Sequence, residues 1–503
     1  TFNFYDGIIK GKTAINGNLS AKEKGYEVIT TEENEIETAI LGNLPVAKIG
    51  EKEYYTFQEA FDACPSDGTE TTVEVLRNCT TDMANIIEEN KNIVLDIQSY
   101  KIVSGIENLF TNNGKFKIVD SIGNGRIISA KGTILKNEET GNFAINNITM
   151  QMTGSSAIDE TIENKGMLEV TGGVIISDGL KNKCINNIEQ GTVKITGGTV
   201  SAYTYAIYNT SSNKIEIEGG TVQATYYYEG YSAIYNNTEN GVVEIKGGLV
   251  TNQGKAIENK KGTIKVTGGE IRTTQGDTRY SECGIYNNGK VIIEDGKVAA
   301  LYRGSGIQNE GGTIEITGGT VSAPEWYNSI INRGTLEISG GTIKSNQKGI
   351  YNNSTLKMTG GTVEVQEPNY TALECGGGTA TIEGGTIKYN NIGNTSYNTA
   401  AIRITTNSAT LILGKEDGNV STTNPEIIGS TYGISNEGNG QFNFYDGIVK
   451  GILTAISGNI TRVEDKYTLV GGTEDNYQTT TLGFLATDTM TACVNGTYYS
   501  TLQ

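Results

Sequence analysis

Two pairs of glutamates, Glu216 with Glu244 and Glu315 with Glu337, hold the same place in successive copies of a short repeated pattern. On neighbouring turns of a stacked chain they would stand about 5 Å apart, the separation of acid and nucleophile in a retaining glycosidase. The same place elsewhere holds Glu169, Lys194, Lys265, Ile292, Lys357 and Thr381. A position that accepts all of these reads as a solvated outer face of mixed charge. Asp159-Glu160 and Glu416-Asp417 are isolated acidic pairs in turns. The 503 residues contain no His, which removes the commonest general base and metal ligand, and with it Ser-His or Cys-His catalysis. No catalytic residue, metal ligand or cofactor is assigned.

Six cysteines are present. Cys64 and Cys79 flank a turn and form a candidate disulfide. Cys184, Cys283 and Cys375 lie several repeats apart, too far to pair with one another, and read as small buried fillers.

Aromatic side chains gather where the repeats vary in length: Tyr226, Tyr227, Tyr228, Tyr231, Tyr302, Trp326 and Tyr327. Loops on a rigid scaffold are where binding usually sits, so these seven are the candidate contacts for a ligand or partner. A second set, Tyr208, Tyr235, Tyr286 and Tyr351, points outward from a strand. Stacking on sugar rings and packing against neighbouring turns or copies both fit these rings.

The elements that position these residues follow from a double glycine. It recurs at Gly172-Gly173, Gly197-Gly198, Gly219-Gly220, Gly247-Gly248, Gly268-Gly269, Gly318-Gly319, Gly340-Gly341, Gly360-Gly361 and Gly384-Gly385. A period of roughly 20–28 residues signals a solenoid. Apolar residues alternate ahead of the glycines (Ile314 and Ile316, Leu336 and Ile338), which is the period of a strand. The segments are rich in β-branched residues and too short for helices. Gly318, Gly319, Gly340 and Gly341 are read as tight corners. A further ladder follows Ala/Gly-Ile-x-Asn: Asn187, Asn209, Asn236, Asn259, Asn287, Asn309, Asn332, Asn352 and Asn436. Asparagine accepts the left-handed conformation, and its amide can bond to the asparagine of the next turn.

Three short strands per turn predict an all-β, right-handed parallel β-helix of roughly 15 turns of about 20–28 residues, with a short N-terminal capping helix. From about Tyr100 to Gly458 the chain resembles the pectin-lyase-like β-helix superfamily, in its non-catalytic, adhesin-type surface branch with GG-x-[IV] turns. The resemblance implies an inward asparagine ladder and a helix plugging the open end of the core. Lyases of that superfamily use clustered Asp ligands for calcium with an Arg or Lys base, and no such cluster falls on adjacent turns here.

Residues 2–7, FNFYDG, recur as residues 442–447, and Ile49–Gln58 find an echo in Val494–Gln503. The expected organisation is therefore 1–44 as the closing turns and tail of a preceding repeat unit, and 45–112 as a joint with the capping helix and first strands. The parallel β-helix proper is expected at 113–458, followed by a tail and the start of the next unit at 459–503. Thr56 and Glu59 form a capping-box pattern ahead of Phe57, Ala60, Phe61 and Cys64, which share one helical face.

The net charge of −18 argues against nucleic acid and anionic membrane surfaces as partners. No apolar run is long enough to span a membrane, so no direct membrane insertion is expected. The expected function is structural and adhesive: an extracellular stalk or fibre on a bacterial surface, with neighbouring copies of itself as partners and glycans or host cell-surface receptors on the aromatic edge. A carbohydrate-binding or polysaccharide-degrading β-helix (lyase or hydrolase) and a phage tail fibre are the alternatives.

Overall fold

Alternation in the sequence becomes alternation in burial. Along Thr313–Ile316, Thr320–Ala323 and Asn328–Asn332, the side chains of Ile314, Ile316, Val321, Ile330 and Asn332 are buried, while Thr313, Glu315 and Ser322 face outward. The next turn repeats this in register: Ile314 pairs with Leu336, Val321 with Ile343 and Ile330 with Ile350. Each fully buried Ile or Val contributes roughly 1.5–3 kcal/mol. The computed structural model is a parallel β-solenoid of about 16 turns, with one helix among the described residues. It describes residues 2–22, 26–42, 44–154, 160–180, 182–226, 230–274, 282–324, 327–367, 370–390 and 399–485, and the backbone of 492–494 and 497–499. Two compact units divide the chain, Thr1–Asn213 and Lys214–Gln503.

In the first unit the helix Phe57–Ala63 begins at Thr56, whose side chain accepts from the Glu59 amide. Glu59 in turn accepts from the Thr56 backbone, completing the capping box. Phe57, Ala60 and Phe61 are buried, and the Phe61 ring stands 6.2 Å from Phe110 and 5.8 Å from Phe116. The helix thus covers the apolar end of the turns, as the resemblance implied. Parallel pairing starts before residue 113: Glu70–Val75 pairs with Asn92–Asp96, which pairs with Lys115–Val119. These early turns lack the double glycine, so the glycine pattern marks their start too late.

The expected disulfide is not formed. Cys64 is a free thiol at the helix C-cap, and its Sγ–H donates to the Ala60 carbonyl at 3.3 Å. Cys79 lies buried in a strand whose partner is Ile102. Cys184, Cys283 and Cys375 are fully buried. Burial pushes the thiols of Cys184 and Cys375 up to about 12, and that of Cys283 also upward, as expected of inert fillers.

In the second unit the corner glycines do what their type allows. Gly319 has φ +68°, and a Cβ there would meet the Gly296 carbonyl oxygen at 2.8 Å. Gly341 repeats this at φ +74°. At Gly318 and Gly340, a Cβ would run into the Glu294 and Thr317 carbonyls of the preceding turn. Backbone passes backbone here, with no room for a side chain.

The sequence duplication is also a structural one. Ile8–Gly11 pairs antiparallel with Ile36–Gly42, which forms a hairpin with Glu27–Glu33 around Asn34 and Glu35. Ile448–Gly451 pairs in the same way with Tyr477–Phe484, which forms a hairpin with Tyr467–Glu474 around Asp475 and Asn476. Further on, the antiparallel pair Ala47–Ile49 with Lys52–Tyr54 recurs as Ala492–Val494 with Thr497–Tyr499.

Candidate functional site

The third strand of each turn offers one outward position between two buried ones, and the loop before it carries the variable residues. In the first unit that outward position holds Asn186 and then Tyr208. Tyr208 is already engaged: Lys183 Nζ lies 4.2 Å from its ring centre, and Tyr205 meets it edge-on at 5.3 Å. Lys183 also reaches Asn186 Oδ1 at 3.1 Å, and Asn186 Nδ2 donates to the buried Glu160 at 2.6 Å. Burial pushes the Glu160 carboxyl up, with the Lys183 charge opposing.

In the second unit the same position reads Tyr235, Glu258, Tyr286, Gln308, Ile331, Tyr351 and Glu374. Glu258 is buried, with Lys255 at 3.2 Å and Lys260 at 2.9 Å. Both ammonium groups also lie over the Tyr286 ring, at 4.2 Å and 5.4 Å. Burial works to lower the Lys260 pKa, but its hydrogen bond to Glu258 and the glutamate charge prevail and raise it. Tyr351 packs against the next turn, where a Cβ on Gly376 would touch its ring. Tyr208, Tyr286 and Tyr351 are therefore used within the fold, by cation–π contact or by packing.

The loop candidates divide differently. Tyr226 and Tyr231 belong to one loop, with ring centres 5.6 Å apart. Tyr302 stands 72% exposed in the loop 301–304. Tyr327 is half-buried. Trp326, Tyr227 and Tyr228 lie outside the described residues. Tyr302 is thus the described aromatic best placed to meet a partner. Tyr226 with Tyr231, Tyr302 and Tyr327 follow the strands Thr221–Ala224, Lys290–Ala300 and Thr320–Ala323 respectively.

In both glutamate pairs a lysine already holds at least one carboxylate. Glu216 and Glu244 pair in register, but Lys214 bridges both, and Lys246 bonds Glu216 and reaches Glu218 at 3.4 Å. Hydrogen bonds from Lys246 and Lys214 hold the Glu216 carboxyl down at about 2. A general acid needs the opposite shift. Glu315 and Glu337 also pair in register, and Lys290 takes Glu315 at 2.7 Å. With Thr317, Ser339, Lys357 and Thr359 they line a shallow groove of ≈ 190 Å³. Among the described residues no group of three or more Cys, Asp and Glu stands where it could hold a metal ion. None of the helices there is long and apolar enough to cross a membrane.

The asparagine ladder is the most regular constellation, and it extends beyond the sequence motif. In the first unit Nδ2-to-Oδ1 bonds run from Asn112 to Asn137, Asn164, Asn187 and Asn209, at 2.7–2.8 Å. In the second they run from Asn236 to Asn259, Asn287, Asn309, Asn332 and Asn352, at 2.8–2.9 Å. Cys375 and Ile404 then take the ladder position. Asn436 shares the register but not the ladder bonding; its amide donates to the Gly440 and Asn459 carbonyls, because its lower neighbour is Ile404. The upstream asparagines were missed because they follow Phe-Thr, Leu-Lys and Ile-Glu, outside the Ala/Gly-Ile-x-Asn pattern.

Lys91 is a second residue that the sequence did not flag. Its buried ammonium donates to the carbonyls of Phe61, Asp62 and Cys64 at 2.8, 2.9 and 3.0 Å. It closes the C-terminal end of the capping helix, where free carbonyls and the helix dipole favour a cation.

The chain matches no protein-family model, no curated protein and no solved structure.

Proposed function

We propose that this protein is a structural, adhesive extracellular component, one period of a tandem array of β-helix units that builds a stalk or fibre on a bacterial surface. The observation that carries the reading is the double occurrence of one closing segment. The residues after FNFYDG repeat one strand pairing and one turn: Ile8–Gly11 pairs with Ile36–Gly42 and its hairpin, and Ile448–Gly451 pairs with Tyr477–Phe484 and its hairpin. A chain that holds the end of one unit and then a whole unit is what an array of identical units contains.

Buried, hydrogen-bonded ladders suit a protein whose task is to hold a shape. The low carboxyl of Glu216 and its lysine neighbours favour a non-catalytic protein over a glycosidase. A net charge of −18 sets copies apart laterally and disfavours nucleic acid. On this reading the chain is a non-catalytic relative of the pectin-lyase-like β-helices. Its partners are neighbouring copies, and Tyr302 with the aromatic loops meets glycans or cell-surface receptors.

Electron microscopy of the native material tests the proposal. Filaments with an axial repeat of about 75 Å plus a joint, sixteen turns at the strand spacing of about 4.8 Å, are the expected result. Isolated single units, together with cleavage of a polysaccharide by the purified chain, would overturn it in favour of an enzyme.

A further inference from the structure

The two copies of the closing segment share a local fold but differ in what covers them. Phe2 and Phe4 stack at 6.1 Å, as Phe442 and Phe444 do at 6.0 Å. Gly7 and Gly447 have φ +106° and +100°, and Gly17 and Gly458 have +104° and +95°. The Phe2 carbonyl accepts from the Ser20 amide at 2.7 Å, and the Phe442 carbonyl from the Thr461 amide at 2.7 Å. Yet Phe2 is 40% exposed where Phe442 is 0%, Tyr5 is 53% where Tyr445 is 3%, and Ile8 is 65% where Ile448 is 9%.

In the second copy the cover comes from the preceding turn. Leu411 and Leu413 pair with Phe442 and Phe444, and Ile427 pairs with Val449. Pro425 stands against Gly447, at a place where Gly7 has open space. Lys450 reaches Glu426 at 3.1 Å, whereas its counterpart Lys10 is exposed.

We infer that residues 2–11 form a docking edge for the last turn of a second copy of this unit, in the register that residues 409–428 use toward 441–451. This deepens the tandem-array reading and rests on it. The occupant is specified by its chemistry. It presents a leucine to the exposed Phe2, an isoleucine to Ile9, a proline carbonyl over Gly7 and a carboxylate to Lys10, while Phe4 is already buried. Within a complete copy that seat is filled by its own 441–451. A second copy can fill the seat when its turns lead directly into residue 2 in place of its own 441–451. In that arrangement residues 2–42 close the second copy as residues 442–484 close their own turns, and the boundary between units falls near Pro45.

A two-unit chain tests this: residues 46–440 placed directly ahead of the full chain 1–503, so that Thr1 follows Gly440 in the position of Gln441. Amide hydrogen exchange at Ile8, Ile9 and Lys10 should slow by at least about 100-fold against the single chain, approaching the rates of Ile448, Val449 and Lys450. Ile8→Asp should abolish the slowing in the two-unit chain and leave melting of the single chain unchanged. A direct fusion of two complete chains is the control, since its seat is already filled and residues 8–10 should stay fast. Fast exchange at 8–10 in the two-unit chain overturns the inference. So does a leading copy that melts as an unclosed fragment, because it shows that 2–42 cannot close those turns. Filaments of native material alongside fast exchange would sink this interface alone. Slow exchange with no filaments would sink the array and keep the interface.

Discussion

Asn309 Nδ2 donates to Asn332 Oδ1 at 2.9 Å, and the same amide donates to the Gly312 carbonyl at 2.9 Å and the Thr335 carbonyl at 3.2 Å. One buried side chain thus ties its own corner, the next turn and the ladder together. Asn309→Leu removes all three bonds and leaves Asn287 Nδ2 without its ladder acceptor. The expected loss is about 2–4 kcal/mol, because buried polar groups left unpaired bear their full desolvation cost. Thermal melting checks it, and an unchanged midpoint would remove the ladder from the account of stability.

Gly319→Val addresses the corner. The backbone sits at φ +68°, and a side chain would press on the Gly296 carbonyl oxygen and the Asp295 carbonyl carbon, 2.8 and 2.9 Å from the Cβ. Both strain and overlap act, so about 2–4 kcal/mol should be lost. Gly105→Ala is the comparison: an added Cβ meets nothing within 4 Å and φ is not positive, so its melting should stay within about 0.5 kcal/mol of the parent. Equal melting of the two variants would refute the corner assignment.

These two features were legible in the sequence because stacking forces identical residues onto identical places. Gly318-Gly319 and Ile-x-Asn recur since each turn meets the same geometry. The capping helix was legible from Thr56, Glu59 and one apolar face. Less regular facts were not. The turns before residue 113 bend without a double glycine, so the first strands expected within 45–112 carried no sign that they already stack as parallel turns. Asn112, Asn137 and Asn164 join the ladder with different residues before them. Lysines over Tyr208 and Tyr286 depend on the spacing of two turns in space, which a linear pattern does not display. The proposed Cys64–Cys79 bridge failed because closeness in sequence says nothing of which way each thiol points: Cys64 turns back to its own helix.

Lys91 gives a prediction that rests on structure alone. Its ammonium satisfies three carbonyls at the end of the helix Phe57–Ala63, whose last turn contains no basic residue of its own. Lys91→Met keeps the length and apolar stem of the side chain but removes all three bonds. About 2–4 kcal/mol should be lost, with hydrogen exchange speeding first in residues 57–64. Lys115→Met, at an exposed neighbouring lysine, should leave both readings unchanged. If the two variants behave alike, Lys91 is not the lock on the cap.

The charged cluster around Glu216 sets a pH dependence. Lys246 and Lys214 donate to the carboxylate and hold its pKa at about 2, below the ordinary 4.5. A carboxyl whose folded pKa is depressed binds its proton more readily in the unfolded chain. Its contribution is therefore complete above about pH 4.5 and is lost as the pH falls through about 2. Solvent screens the cluster at this surface, so the contribution is about 1 kcal/mol or less. The melting temperature of Glu216→Gln, measured against the parent at pH 7 and pH 2, isolates it. The parent should be the more stable at pH 7, and the difference should shrink toward zero at pH 2. Added salt at pH 7 should narrow it as well. A difference that stays constant from pH 7 to pH 2 would show that Lys246 and Lys214 act on Glu216 through packing and not through charge.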